Sequence, residues 1–194
     1  MSSVVISGDT SGTVTVAAPA VAGSNTLTLQ AGTATNSMNT LATAVTSTSG
    51  TSIDFTALPS WIKKITVMFA GVSASSTGIP QFQLGTGGTP TYTTSGYLGA
   101  SNLASTSVTT TAMSTGFIIA SSSAATVVVH GSATITNITG NTWVYSGVFG
   151  RSDNANVCWG GGSIALAAAL TAFRITTTGA DTFDAGSINI LYEG

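Results

Sequence analysis

The feature that most constrains this chain is an alternation of apolar and polar residues with a period of two. In the stretch KITVMFAG, Ile65, Val67 and Phe69 fall on one face of an extended chain, and Thr66 and Met68 fall on the other. Such alternation is typical of a half-buried β-strand. The same period recurs in four later runs, at 126–136, 142–150, 172–176 and 187–194. Turn formers separate these runs, so the sequence predicts an all-β chain, namely a jelly-roll-like antiparallel β-sandwich with an extended, strand-containing N-terminal arm.

Two segments of this part of the chain need a separate interpretation. The Ala- and Leu-rich run from Ile164 to Phe173 has high helix propensity, but it lacks an amphipathic stripe and follows three glycines. A buried strand is therefore favoured there over a helix. Pro59 removes a backbone donor and predicts an edge or a break between strands, with Trp61 as an anchor after it.

The distribution of aromatic residues predicts the domain organisation. All three Trp, all four Tyr and all seven Phe lie beyond Thr51. Aromatic side chains bury the largest areas in a core, so we predict a folded body at 51–194 and an N-terminal arm at 1–50. Within the arm, the alternating runs 13–16 and 25–29 predict strands that can pair with each other, with the Ala/Pro/Gly connector turning between them. Because the arm has no aromatics for a core of its own, we expect it to dock on a partner.

Charge is scarce in this sequence and excludes several classes of partner. Charged residues make up 5% of the chain, against about a quarter in typical soluble domains. Four basic residues cannot neutralise a phosphate backbone or an anionic membrane, so neither nucleic acid nor membrane is expected as a partner. We expect no transmembrane helix and no signal peptide. An uncharged hydroxyl-rich surface gives little repulsion between copies, which suits a subunit of an assembly.

Residues that could perform chemistry are few. His130 is the one histidine, and no G-x-S-x-G pattern is present, although a Ser–His–Asp triad need not be contiguous in sequence. Cys158 is the one cysteine, which excludes an internal disulfide and predicts a small buried residue. We predict no catalytic, cofactor-binding or metal-binding residues and no enzymatic activity.

Two further groups of residues have alternative interpretations. The Asp- and Asn-rich turns at 151–156 and 181–184 offer oxygen ligands of the kind that Ca²⁺ takes, but ordinary turn chemistry is favoured because no EF-hand spacing is present. Tyr92 and Tyr97 lie near Gly-rich turns. If exposed, their rings could stack on a sugar, or they could serve any other interface.

Five segments carry a family resemblance. The N-terminal SGDTSGTVTVAAPAVAGSNTLTL resembles a segment shared by many tailed-bacteriophage fibre and virion-surface proteins. The β-rich domain that commonly follows it is similar to four stretches of this chain: IDFTALPSWIKKITVMFAGVS, GYLGAS, GVFGRSD and FDAGSINILYEG. The resemblance covers nearly the whole chain and is weakest over about 74–130. It implies a trimeric jelly-roll-like module with no catalytic residues.

The functional expectation follows from the fold, the charge and this resemblance together. The leading hypothesis is a non-catalytic structural protein of the bacteriophage virion surface, made in the bacterial host cytoplasm. It would form a homotrimer and bind the major capsid protein or another virion protein through residues 1–50. The alternative is a tail fibre or tail-associated receptor-binding protein that recognises a host surface glycan. A bacterial surface adhesin and a depolymerase are further alternatives.

Overall fold

A computed structural model describes residues 3–7, 13–17, 39–121 and 123–194. The chain divides into two compact units, 1–36 and 37–194. In the first unit, strands β1 (Ser3–Ser7) and β2 (Thr13–Ala17) pair antiparallel.

The strand predicted at 13–16 is therefore confirmed. Its partner is the preceding run, with Ser3 opposite Ala17 and Ser7 opposite Thr13. The second predicted run of the arm, at 25–29, lies outside the described residues.

The second unit is built of strands joined by turns. In chain order they are β3 (Asn39–Leu41), β4 (Val45–Thr46), β5 (Ser52–Phe55), β6 (Lys64–Ala74), β7 (Pro80–Thr86), β8 (Thr91–Tyr92), β9 (Leu98–Ala104), β10 (Val108–Ala112), β11 (Phe117–Ile118), β12 (Val129–Thr139), β13 (Thr142–Arg151), β14 (Val157–Ala165), β15 (Leu170–Thr177) and β16 (Phe183–Glu193). No helix is present among the described residues, and therefore none that is long and apolar enough to cross a membrane.

These strands form two antiparallel sheets. The larger sheet has nine strands in the order β10-β9-β14-β13-β12-β6-β16-β3, with β4 also pairing with β16. The smaller sheet has five strands in the order β11-β7-β15-β5, with β8 pairing with β7. The two sheets pack face to face around one core, so the predicted all-β sandwich is confirmed.

The core is filled from the faces that the alternation predicted. On β6, Ile65, Val67 and Phe69 are buried, while Thr66 and Met68 between them are only half-buried. Aromatic side chains occupy the centre of this core. The fully buried ring of Phe82 lies 5.4 to 5.9 Å, centroid to centroid, from the rings of three neighbours, Phe69, Tyr145 and Phe173. Burial of such side chains supplies the main driving force for folding.

The run from Ile164 to Phe173 corrects one expectation. It is neither a helix nor one continuous strand, because β14 ends at Ala165 and β15 begins at Leu170. Here the chain passes from the larger sheet to the smaller one. Leu166 and Leu170 are both buried at this crossing. The large apolar residues of the run are therefore buried, whereas Ala165 and 167–169 between them are exposed, and the change of sheet accounts for the break in pairing.

The boundary predicted at residue 50 also needs correction. Strands β3 and β4 lie within 1–50, yet both pair with β16. The Ser47 hydroxyl is fully buried and donates to the Ala185 carbonyl at 2.7 Å. Residues 39–50 therefore belong to the edge of the larger sheet, and the compact body begins at Ser37. Backbone pairing holds this segment on the body, and aromatic burial does not contribute. Such pairing leaves little apolar pattern in a Ser/Thr/Ala-rich sequence.

Candidate functional site

The most distinctive surface is the outer face of the nine-stranded sheet, meaning the face turned away from the smaller sheet. Residues directly opposite each other on neighbouring antiparallel strands point to the same side of a sheet. One line of such partners crosses five strands, and we call it the Trp159 row: Ser132, Val148, Trp159, Asn102 and Thr110. None of these side chains is charged.

A second line of partners lies two residues further along each strand. We call it the Gly161 row: Thr134, Ser146, Gly161, Ala100 and Ala112. Its side chains are small, so it forms the lower part of the surface beside the taller Trp159 row. Between β12 and β13 the two rows border an open depression of about 210 Å³, lined in part by Ser132, Thr134 and Ser146.

Exposed apolar side chains are concentrated on this outer face. Of the seven large apolar residues that are exposed in the described part of the chain, six lie on it: Leu41, Leu98, Val108, Val148, Val157 and Trp159. The seventh, Ile138, sits at the irregular end of β12. Val148 is 59% exposed and Trp159 is 38% exposed, and they are direct cross-strand neighbours. Together with Val157, two residues along β14 from Trp159, they form a contiguous apolar patch, and such a patch marks an interaction surface.

The outer face of the smaller sheet is different, because it carries an ion pair instead of exposed apolar residues. Arg174 donates two hydrogen bonds to the Asp54 carboxylate, both at 2.7 Å. The Arg174 guanidinium also lies 3.8 Å from the centroid of the Tyr92 ring. The charged groups and the Tyr92 ring of this cluster bind one another. Among the described residues, the smaller sheet has no comparable exposed apolar surface.

The sugar-stacking hypothesis for Tyr92 and Tyr97 is wrong. One face of the Tyr92 ring is covered by Arg174, and the ring also packs closely on the backbone of Gly85. Tyr97 is 2% exposed, and its hydroxyl accepts a hydrogen bond from the backbone N–H of Leu84 at 2.8 Å. Neither ring presents an open face to a ligand.

Trp159 is the aromatic side chain that the sequence analysis missed. A signal was present, since a buried Cys158 places both of its neighbours on the opposite face of a strand. The three glycines that follow, Gly160 to Gly162, interrupt the alternation and conceal the strand. They pair within the sheet nonetheless, opposite Gly147, Ser146 and Tyr145.

Both ring nitrogens of His130 are within hydrogen-bond distance of neighbouring groups. Its Nδ1 accepts a hydrogen bond from the Gly71 backbone N–H at 3.2 Å, which places the proton of the neutral ring on Nε2. Nε2 lies 3.1 Å from the Ser152 hydroxyl oxygen and is therefore the donor to it. A base that activates Ser152 would need a free lone pair at that nitrogen. The Asp153 carboxylate is bound by Arg151, so it does not orient the imidazole.

The turn carboxylates each tie down a neighbouring loop. Asp181 accepts from the Gly78 backbone N–H, and Asp184 accepts from the Ser73 hydroxyl. The hydrogen bond from the Arg151 guanidinium lowers the pKa of Asp153. Turn chemistry accounts for all three carboxylates, and within the described ranges no group of three or more His, Cys, Asp or Glu side chains comes together to hold a metal ion.

Two further buried features are the cysteine and a small cavity. Cys158 is 1% exposed, as predicted, and burial raises the pKa of its thiol. A cavity of about 40 Å³ lies at the end of the sandwich, where Ile62, Trp143 and Leu170 contribute to its lining. That volume suits a water molecule or two but not an organic substrate.

No protein-family model, curated protein or solved structure matches the chain.

Proposed function

We propose that the chain is a non-catalytic structural protein of the tailed-bacteriophage virion surface. It decorates or projects from the capsid as a homotrimer, and its N-terminal arm binds the major capsid protein or another virion protein. The observation that carries the proposal is the distribution of exposed apolar residues, six of which lie on the outer face of the larger sheet. A protein that worked as a free monomer would expose this face to water, whereas a subunit would cover it.

Three features support a structural role over a catalytic one. His130 is committed to the backbone of β6 and to a donor bond toward Ser152. The described carboxylates of the turns are engaged by backbone, hydroxyl or guanidinium groups. The low charge of the chain keeps repulsion between closely spaced copies small, which a lattice or fibre requires.

The resemblance of the N-terminal segment supports the virion as the setting. Strands β1 and β2 form an antiparallel pair, and Thr and Val alternate along β2. A short strand pair of this kind is marginal alone in water and gains stability by packing on a partner or by adding a strand to a neighbouring sheet. We assign the arm to attachment on this ground.

The test is incorporation into particles. Because β3 and β4 belong to the body, residues 1–36 are replaced by a Gly/Ser segment of equal length, which leaves the edge of β16 covered. Phage lacking the gene is complemented in the host with either the native chain or this variant. We expect the native chain in purified particles and the variant only in the soluble lysate. Equal copy numbers in particles would refute attachment through the arm.

One observation favours a second candidate function, a tail-associated receptor binder. Trp159 is an exposed indole with the Asn102 amide beside it, and stacking on an aromatic ring plus an amide contact is a common way to hold a neutral sugar. A glycan array would test this with the native chain and a Trp159→Ala variant. A hit lost in the variant would support the receptor role, and an array without hits would remove its support.

A further inference from the structure

We propose that the outer face of the nine-stranded sheet, around the Trp159 row and the Gly161 row, is the contact between copies of this chain. The inference deepens the proposed function, on which it rests for the idea that the chain works as an assembled subunit. It adds the surface and its occupant, a second copy of the same face. The two rows lie side by side on the same strands, one with Val148 and Trp159 and the other with Ser146 and Gly161.

The face has a high row beside a low row, and this shape can fit the same face of another copy. The Trp159 row stands higher than the Gly161 row, where Gly161 has no side chain and Ala100 has only a methyl group. In three copies around an axis parallel to the rows, rotation brings the Trp159 row of each copy onto the Gly161 row of the next. The depression of about 210 Å³ lies beside Ser146 and Val148, within reach of a neighbouring copy's apolar side chain. Such a contact is heterologous and closes into a ring.

The size of the face matches that of a stable interface. Five neighbouring strands, β6, β12, β13, β14 and β9, each carry four outward-facing positions in successive rows, and the adjoining β10 carries three. At about 4.8 Å between strands and about 6.8 Å between rows, these positions cover an area on the order of 800 Å². Each partner in a standard protein–protein interface buries about the same area.

Charge also favours an identical partner. An ion pair on this face joins Lys64 to Glu193 at 2.8 Å, at the end of the sheet, and neutralises itself. Around a threefold axis, a charge near the axis lies close to its two symmetry copies and is repelled by them. The centre of this face has none.

A glycan fits the same face less well. Most of its exposed large side chains are aliphatic and give no hydrogen bond to sugar hydroxyls, and Trp159 is the one exposed aromatic ring among them. The Asn102 carbonyl oxygen already accepts from the Thr110 hydroxyl at 2.6 Å. An area on the order of 800 Å² also exceeds what a short oligosaccharide covers, whereas the two neighbouring copies of a trimer together cover it.

The test is the mass of the native chain in solution. Val148→Lys places a positive charge at an exposed site in the centre of the face, so that the charges of neighbouring copies would meet. Thr91→Lys places the same charge on an exposed strand residue of the smaller sheet and serves as the matched control. Native mass spectrometry and light scattering should give about 58 kDa, three times 19.2 kDa, for the native chain and for Thr91→Lys. Val148→Lys should shift to the monomer mass with its β-sheet circular dichroism unchanged.

Three results would overturn the proposal. One is a native chain that stays monomeric at every concentration, and another is a trimer that persists in Val148→Lys. The third is a monomer that binds a neutral glycan through Val148 and Trp159. If Val148→Lys does not fold, Ser146→Lys on the Gly161 row makes the same test. A monomer that is still found in particles would refute this contact alone, whereas a solution trimer absent from particles would refute only the proposed function.

Discussion

Two buried tyrosines provide a sharp test of how the core is held together. Tyr97 and Tyr145 are 2% and 3% exposed, and their rings contact the ring of Phe117 at centroid distances of 4.8 and 5.0 Å. Their hydroxyl groups differ. The Tyr97 hydroxyl accepts from the Leu84 backbone N–H, whereas the Tyr145 hydroxyl has no hydrogen-bond partner among the described residues. Substitution by Phe removes only the hydroxyl and keeps each ring in place.

The two substitutions should therefore have different effects on the free energy of unfolding. Tyr97→Phe leaves the buried N–H of Leu84 without an acceptor, which costs about 1–3 kcal/mol. Tyr145→Phe removes a buried hydroxyl that already lacks a partner, so the free energy of unfolding should stay constant or rise by up to about 1 kcal/mol. We expect the two variants to differ by on the order of 2 kcal/mol, with Tyr145→Phe the more stable.

Urea denaturation followed by circular dichroism measures this difference directly. The dependence of the free energy on urea should be the same in both variants, because neither changes the area buried on folding. The midpoint should fall for Tyr97→Phe and hold or rise for Tyr145→Phe. Equal destabilisation by the two substitutions would refute the assignment of hydrogen-bond partners in this core.

Three further predictions concern pH and backbone conformation. Burial raises the pKa of Tyr97 to about 12, so its contribution to the free energy of unfolding should be constant below about pH 10, where an unfolded tyrosine ionises, and should fall by on the order of 3 kcal/mol up to pH 12. The absorbance of the folded native chain at 295 nm minus that of folded Tyr97→Phe isolates this ring, and a difference that rises near pH 10 would contradict the prediction. The hydrogen bond from Arg151 lowers the pKa of Asp153, so this carboxylate stabilises the fold above about pH 4, and its contribution is lost as the pH falls through its folded pKa. In Asp153→Asn the free energy of unfolding should therefore fall less steeply at acid pH than in the native chain. An equally steep fall would count against the ion pair. Gly186→Ala should lower the free energy of unfolding by about 3 kcal/mol or more, because Gly186 has φ +98° and a Cβ there would collide with the Gly71 backbone. Gly71→Ala, at φ +69° in more open surroundings, should lower it by about 1 kcal/mol, as measured by thermal unfolding. Similar losses in both variants would show that close approach is not the reason for glycine at 186.

Local periodicity was sufficient to predict the strands that build the centre of the sandwich. The buried sets on β6, β12, β13 and β16 are the ones that alternation predicts, because one face of each strand packs on the opposite sheet. Turn formers also mark the ends correctly, as with Gly140 in the tight turn between β12 and β13. These features depend on residues that are near neighbours in sequence, so they could be predicted from the local pattern.

Features that depend on distant residues could not be predicted. Asp54 and Arg174 are 120 positions apart, and only the pairing of β5 with β15 brings them together. Strands β3 and β4 have no strong alternation, and their place at the edge is fixed by hydrogen bonds to β16. Trp159 became a candidate for function only when the register placed it next to Val148 on an open face.

The central claim is that this chain is a subunit of a virion surface. The most direct measurement is a density map of purified phage particles that carry the gene, with a tag on the C-terminus of this chain to mark its position. We predict tagged density in repeated threefold clusters on the particle surface, with mass spectrometry of the same particles detecting the chain. Particles that assemble normally and contain no copy of this chain would contradict the claim.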